Sequence, residues 1–217
     1  MGQKPLTTPR KTAIQERARA TVEALVEATA RILLRDGFDR ASTNRIAGEA
    51  GVSIGSLYQY FPSKEALVAA VIERHNRQLM TVVHEAFSRA ATQPVETGIK
   101  YLVAAAIEAH RIAPDLHRVL AEQTPRSGAL ANVELFQRSA YDLFQSYLEE
   151  RRDEIGIEDM DLAAFICVTS IEALTHTAVI HRPDILLERR ADALVEEAAR
   201  LIAGYLRRAP AAPGEAR

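Results

Sequence analysis

The sequence predicts an all-α protein of about nine helices, a small N-terminal three-helix unit followed by a larger helical body. Three observations carry that prediction. The good helix formers Ala, Leu, Glu and Arg dominate, with only 10 Gly and 9 Pro among 217 residues. Runs of β-branched residues bounded by turn residues, the mark of strands, are missing. Apolar residues recur three and four apart in one segment after another, and Gly or Pro separates the segments.

Residues 1–11 (MGQKPLTTPRK) hold two Pro and three basic residues without apolar periodicity, and read as a disordered basic tail. A first helix is expected from about Thr12 to Asp36, with Val22, Leu25, Val26, Thr29, Ile32 and Leu33 in one stripe. Gly37 stands where a C-cap glycine belongs, and Phe38 follows as an apolar plug. Ser42 or Thr43 caps the next helix, which carries Ile46, Ala47 and Ala50 on one face and ends at Gly51. Ser53 caps a short helix over 54–61. Pro62 stops it, because its ring blocks continuation and restricts the residue before it. Ser63 opens a fourth helix whose apolar residues run from Leu67 and Val68 through Leu79 and Val83 toward Phe87.

Pro94 breaks the chain, and further helices are expected at 95–111, 114–123, 129–153, 159–181 and 187–207. Pro114, Pro125 with Gly128, Gly156 and Pro183 separate them. The 159–181 segment is apolar nearly all round, so it must be buried on several sides. The last helix carries an amphipathic stripe of Ala191, Leu194, Val195, Ala198, Leu201, Ile202 and Tyr205. Residues 209–217 read as a second disordered tail.

The stretch Thr43 to Lys64, TNRIAGEAGVSIGSLYQYFPSK, points most firmly to a partner. Two short helices joined by a tight turn make the layout of a helix-turn-helix DNA reader, whose second helix enters the major groove. The turn needs a residue that tolerates positive φ, and Gly51 supplies it. Ala47 lets the two helices cross closely, while Ile46, Val52 and Leu57 are spaced to form the small core between them. The outward face of the second helix holds Ser56, Gln59 and Tyr60, with Tyr58 at its shoulder and Gly55 leaving the helix N-terminus unobstructed. Gln59 suits a bidentate contact to adenine, and Ser56 several bases. The Tyr hydroxyls, Lys64 and a capping Thr43 suit phosphate oxygens. Charge supports a nucleic-acid-facing end. The net charge is −2, but residues 1–64 carry ten Lys or Arg against six Asp or Glu, and the remainder seventeen against twenty-three.

These residues resemble the N-terminal domain of the TetR family of bacterial transcriptional regulators. The matching features are Gly37-Phe38, Thr43, Ile46-Ala47, Ala50-Gly51-Val52-Ser53 and Gly55-Ser56-Leu57-Tyr58-Gln59-Tyr60-Phe61, then Lys64-Glu65 and Leu67. The resemblance implies DNA contacts from Thr43, Ser53, Ser56, Tyr58, Tyr60 and Lys64, with Asn44 and Arg45 beside them. It implies a DNA-binding domain over 12–62 and a helical ligand-binding and dimerisation domain over 63–208. The expected function is a repressor that binds a palindromic operator as a homodimer and is released by a small, mostly apolar effector. Two readers on a two-fold axis visit the major groove about 34–36 Å apart or a multiple of it. An architectural DNA binder without an effector, or a helical enzyme or interaction module, are the alternatives.

In the helical body, Phe165, Ile166, Thr169, Leu194, Val195, Ala198, Leu201, Ile202 and Tyr205 are candidates for a four-helix dimer seam, or else pack inside the monomer. Polar and aromatic residues on otherwise apolar helices are candidates for an effector pocket: Tyr101, His110, His117, Phe136, Tyr141, Phe144, Phe165, Glu172 and His176. Glu172 and His176 lie one turn apart and could pair.

Other chemistries find little support. The single Cys167 rules out an intramolecular disulfide and a cysteine zinc site, and in an apolar helix it reads as an inert thiol. A metal site among the six His is not expected: His110 and His117 share a face but not a site, and His176 and His181 point apart. No cofactor is expected, since nucleophile elbows, P-loops and dinucleotide-binding glycine patterns are absent. No signal peptide and no uninterrupted apolar run long enough for a bilayer is found, so a soluble, cytoplasmic protein is expected.

Overall fold

The computed structural model describes residues 10–127, 130–187 and 189–207, and among them the fold is all helical. The expected tails, 1–11 and 209–217, lie outside the described residues apart from Arg10 and Lys11, which belong to the first helix. The chain divides into two compact units. One is built from residues 1–72 with 122–129; the other from 73–121 with 130–217.

The first unit contains α1 (Arg10–Arg40), α2 (Thr43–Ala50), α3 (Ile54–Tyr60) and the start of α4 (Lys64–Ala90). Glycine sets its geometry twice. Gly37 interrupts α1 with φ 75°, and Gly51 ends α2 in the left-handed region at φ 69°, donating its N–H back to the last turn. The capping serines are Ser42, Ser53 and Ser63, whose hydroxyls accept from Arg45 N–H, Ser56 N–H and Ala66 N–H. Thr43 is therefore the first helical residue and not the cap. Leu25, Ile32, Leu33, Ile46, Leu57, Leu67 and Val68 are fully buried, so one apolar face from each helix meets in a single small core. Outside it, Arg31 and Arg35 of α1 both bond the carboxylate of Glu49 on α2.

The second unit takes the rest of α4, then α5 (Val95–Arg111), the part of α6 (Pro114–Ser127) up to residue 121, α7 (Leu130–Glu149), α8 (Met160–Ile180) and α9 (Arg189–Leu206). Two 3₁₀ turns follow α7 and α8: Arg152–Glu154 takes the place of the last residues expected in the 129–153 helix, and Pro183–Leu186 fills the break expected at Pro183. Helix α5 packs on α8 and α9, and α7 packs on α8. The core includes Ile99, Val103, Phe144, Leu148, Ala163, Cys167, Ile202 and Leu206. The rings of Phe87 and Phe144 meet edge to face at 5.9 Å.

Loop polar groups serve as helix terminators. The buried Arg151 guanidinium donates to the carbonyls of Ala90 and Ala91 at the end of α4 and stacks over the Tyr147 ring. Glu154 accepts from Val95 N–H at the start of α5, and Gly156 donates to the Leu206 carbonyl at the end of α9. Helix α8 is long and apolar enough to cross a membrane by length and composition alone. That differs from the sequence expectation. Asp161, Glu172 and His176 interrupt it, and its buried residues, Ala163, Ala164, Cys167, Ile171 and Thr175 among them, pack inside the unit.

Candidate nucleic-acid interface and cavity

On the first unit, α2 and α3 form the helix-turn-helix pair, held by Leu57 and Ile46 on the inside. The outward face carries Asn44, Gly55, Tyr58, Gln59 and Tyr60, all exposed, with Ser56 half-buried. Tyr58 is 53 % exposed, so its ring is not a core residue. Its hydroxyl lies 3.1 Å from Thr43 Oγ1, which joins the first turn of α2 to the middle of α3. Ser53 Oγ accepts from Ser56 N–H at 3.0 Å and lies 2.8 Å from Ser56 Oγ. The cap and the reading residue thus hold one another in place.

Two of the expected cationic contacts are already engaged. Lys64 Nζ donates to the Phe38 carbonyl at 3.0 Å and sits 4.0 Å from the centre of the Phe38 ring. Arg45 donates to the Arg40 carbonyl at 2.9 Å and to Asp36 Oδ2 at 2.6 Å. Both side chains fasten the segment around Gly37 to its neighbours. The outward face itself is short and polar, and the Arg45 side chain beside it remains 46 % exposed.

The second unit holds a cavity of about 120 Å³. Leu79, Val83, Phe87, Leu102, Phe144, Val168 and Ile171 supply its apolar wall, and His110, His117, Gln137 and Glu172 its polar atoms. Of the expected pocket residues, His110, His117, Phe136, Phe144 and Glu172 line it. Tyr101 does not: it is 42 % exposed, because it lies on the outer side of α5. Tyr141 stacks against Phe165 with ring centres 6.0 Å apart, outside the cavity lining. Helix α4 contributes more of the wall than its sequence suggested, since Leu79, Val83, Ala86 and Phe87 read equally well as plain core.

Glu172 and His176 do not pair as expected. His176 Nδ1 lies 3.2 Å from His117 Nε2, and burial against the cavity's apolar wall raises the Glu172 pKa above the ordinary carboxyl value. Glu172 as a whole residue is exposed, but its carboxyl is a lining group.

The histidines converge, contrary to the sequence expectation. His75 on α4, His110 on α5, His117 on α6 and His176 on α8 meet at one end of the unit. His75 Nε2 lies 2.9 Å from His117 Nδ1, and His110 Nδ1 lies 2.7 Å from the Ala106 carbonyl. One nitrogen from each of His110, His117 and His176 falls within 4.8 Å of the others. Spacing along the chain could not show this, because 110 and 117 lie on separate helices divided by Pro114. Desolvation first, and neighbouring imidazoles second, lower all four pKa values, in total to about 4 at His75 and about 3 at His117, while the bond to the Ala106 carbonyl partly opposes the shift at His110. The four rings are accordingly neutral at neutral pH. His75 had a legible signal: it falls on the stripe of Val68, Val71, Ile72 and Leu79, an inward place for a polar residue, and is 3 % exposed.

Cys167 is fully buried and desolvation pushes its thiol up to about 12, which makes it the inert core thiol the sequence suggested. On the dimer candidates, Ala198 and Ile202 are buried within the protomer, so they face α5 and α8 and not a second copy. Phe165 and Leu201 are 52 % and 61 % exposed, Thr169 is exposed, and Ile166, Leu194, Val195 and Tyr205 are half-buried. Leu162 and Leu174 add 50 % and 37 % exposed apolar side chains that the stripe reading had missed.

Comparison with known proteins agrees with this architecture. Residues 25–71 match the family described as bacterial regulatory proteins, tetR family, and residues 94–206 match the tetracyclin repressor-like C-terminal domain. The nucleoid occlusion factor SlmA of Haemophilus ducreyi is 31 % identical over 116 residues, 54 % of this chain and 55 % of that protein. The chain thus spans about half the length of the curated relatives it matches. Among solved structures, the fatty acid degradation regulator FadR of Bacillus halodurans superposes with a TM-score of 0.64 at 19 % identity, over 86 % of this chain and 96 % of that one. SmeT, the repressor of a Stenotrophomonas maltophilia multidrug efflux pump, superposes in its triclosan complex with a TM-score of 0.61 at 22 % identity, over 84 % of this chain and 90 % of that one. By both domain matches, the chain belongs to the TetR family of DNA-binding bacterial regulators.

Proposed function

We propose that this regulator is a ligand-responsive repressor that binds a near-palindromic operator as a homodimer and releases it when a small, mostly apolar effector enters the second unit. It acts in the cytoplasm, on DNA, and catalyses no reaction. Asn44, Ser56, Tyr58, Gln59 and Tyr60, with the N-terminal turn at Gly55, form the reading face, and the engaged Thr43, Arg45, Ser53 and Lys64 hold that face in register. The observation that carries the effector reading is the apolar cavity with a few convergent polar groups, lined by residues of four helices and more. The exposed apolar residues of α8 and α9, Leu162, Phe165 and Leu201, support the dimer. Helix α4 links reader to cavity as one continuous element, so an effector that favours one placement of α4 changes operator affinity by its differential affinity for the two states.

Gel-shift titration against the DNA upstream of its own operon tests this. A sequence-dependent shift that weakens with salt and is reversed by a medium-chain fatty acid or a chlorinated phenol supports the reading. A second reading follows from the SlmA relatives: a DNA-binding factor of nucleoid occlusion that works without an effector. It predicts sequence-dependent binding that no apolar compound reverses.

A further inference from the structure

We propose that His110, His117 and His176 form a three-imidazole site for a late first-row divalent transition metal ion such as Zn²⁺ or Co²⁺, with His75 positioning His117. The geometry and the hydrogen-bond pattern both point there. A tetrahedral ion with metal–nitrogen bonds of about 2.0–2.1 Å needs its ligand nitrogens about 3.3 Å apart. His117 Nε2 and His176 Nδ1 are 3.2 Å apart, which is already one edge of that tetrahedron. His110 is oriented by donating Nδ1–H to the Ala106 carbonyl, and that bond leaves its Nε2 lone pair as the free ligand atom. A backbone carbonyl in that position fixes the tautomer of a metal-bound histidine. One nitrogen from each of the three rings belongs to a set that spans at most 4.8 Å, so the three imidazoles already converge on one point.

His75 completes the arrangement from outside. When it carries its proton on Nδ1, its Nε2 accepts from His117 Nδ1–H, and with His176 protonated on Nε2 the lone pair of His117 Nε2 faces that of His176 Nδ1. Two lone pairs at that distance repel unless a cation lies between them. In the alternative arrangement each ring donates to the next along His75, His117 and His176. The two differ only by tautomeric shifts on His75 and His117, so the rings become a ligand set without losing a net proton. Neutral imidazole is the form a metal binds. Three nitrogens leave a position open for water or an oxygen atom of a ligand, and His110 and His117 also line the cavity.

Cobalt titration of the chelator-treated full-length chain, free of any polyhistidine tag, tests the site. The expected result is visible absorption of four-coordinate Co²⁺ that saturates at one ion per protomer and is displaced by Zn²⁺. His117→Gln and His176→Gln should each weaken binding at least tenfold, and His75→Gln should weaken it about ten- to a hundredfold through loss of orientation. His84→Ala, on the exposed side of α4, should leave it unchanged. Absence of a saturable signal in the wild-type chain, or binding that persists in a His117→Gln/His176→Gln protein of normal helix content, overturns the inference. Operator binding by the same metal-free preparation is measured alongside. A failed cobalt titration with an intact gel shift removes the metal site alone and leaves the regulatory reading standing.

Discussion

Lys64 Nζ donates to the Phe38 carbonyl at 3.0 Å while lying 4.0 Å over the ring of the same residue, which ties the first turn of α4 to the kink that ends α1. This cation joins α4 to the end of α1 within the first unit. Lys64→Met keeps most of the apolar stem and removes both interactions, so it should lower stability by about 1–2 kcal/mol. A chemical denaturation midpoint checks this. A midpoint equal to wild type would mean that Lys64 is free for phosphate contact and contributes nothing to packing.

Tyr58→Phe separates ring from hydroxyl. The ring is largely exposed, so stability should change by less than about 0.5 kcal/mol. Operator affinity should fall, because the hydroxyl next to Thr43 is a positioned donor at the reading face. The slope of affinity against salt should stay the same, since no charge is lost. Fluorescence anisotropy at several salt concentrations reads both quantities.

Two glycines distinguish backbone strain from crowding. At Gly51 nothing lies within 4 Å of an added Cβ, so Gly51→Ala costs only the left-handed conformation, about 1–2 kcal/mol. At Gly98 the conformation is ordinary, but an added Cβ falls onto the Tyr147 hydroxyl and comes within 3.3 Å of the Ala90 carbonyl. Gly98→Ala should therefore cost about 1–3 kcal/mol through displaced packing, and truncating Tyr147 to Phe should recover part of it. Thermal melts of the two single variants and the Gly98→Ala/Tyr147→Phe double variant decide the case.

The buried imidazoles make stability depend on pH. His75 and His117 hold protons less tightly in the folded chain, at about 4 and about 3, than the ordinary 6.5. As pH falls below 6.5, the unfolded chain takes up protons that the folded chain refuses, so stability falls from there toward about 4. Above 6.5 these groups make no pH-dependent contribution. Urea midpoints measured on chelator-treated protein between pH 7.5 and 4.5 should decline, and His75→Phe/His117→Leu should flatten the decline. A pH-independent wild-type midpoint in that window would show that the cluster stays hydrated.

Phe165→Glu/Leu201→Glu places charge on side chains that are exposed in the protomer and belong to the proposed seam. Helix content should be unchanged and the sedimenting species should become a monomer. Operator affinity should drop by at least a factor of ten, because one short reader contacts only a few base pairs. Ile202→Glu, at a residue buried in the core, should instead abolish folding.

The local devices of this protein were legible before any coordinates. Ser53 at a helix start, Gly51 where the chain turns left-handed, and Pro62 after α3 each act through a neighbour a few residues away, so residue type and spacing suffice to read them, whereas the choice between Ser42 and Thr43 needed the observed Ser42 cap. The reader's small core was legible for the same reason, since Ile46 and Leu57 face each other across one short turn. The 3₁₀ turn at 152–154 was not, because its first two residues also suit the end of an α-helix and packing decides between the two; the turn at 183–186 falls in the break expected at Pro183.

What the sequence by itself determined is the order of the helices, the Ser53 and Ser63 caps and the position of the helix-turn-helix segment, all of which rest on contacts between chain neighbours. Only the tertiary structure decided which way each helix faces. It paired Lys64 and Arg45 with backbone and carboxylate partners of their own unit, placed Ala198 and Ile202 in the core, and left Phe165 and Leu201 outside. It also gathered His75, His110, His117 and His176 from four helices into one cluster. Their separations along the chain say nothing about that meeting, because it depends on how α4, α5, α6 and α8 pack, and packing is settled by the summed burial of every apolar face in the unit.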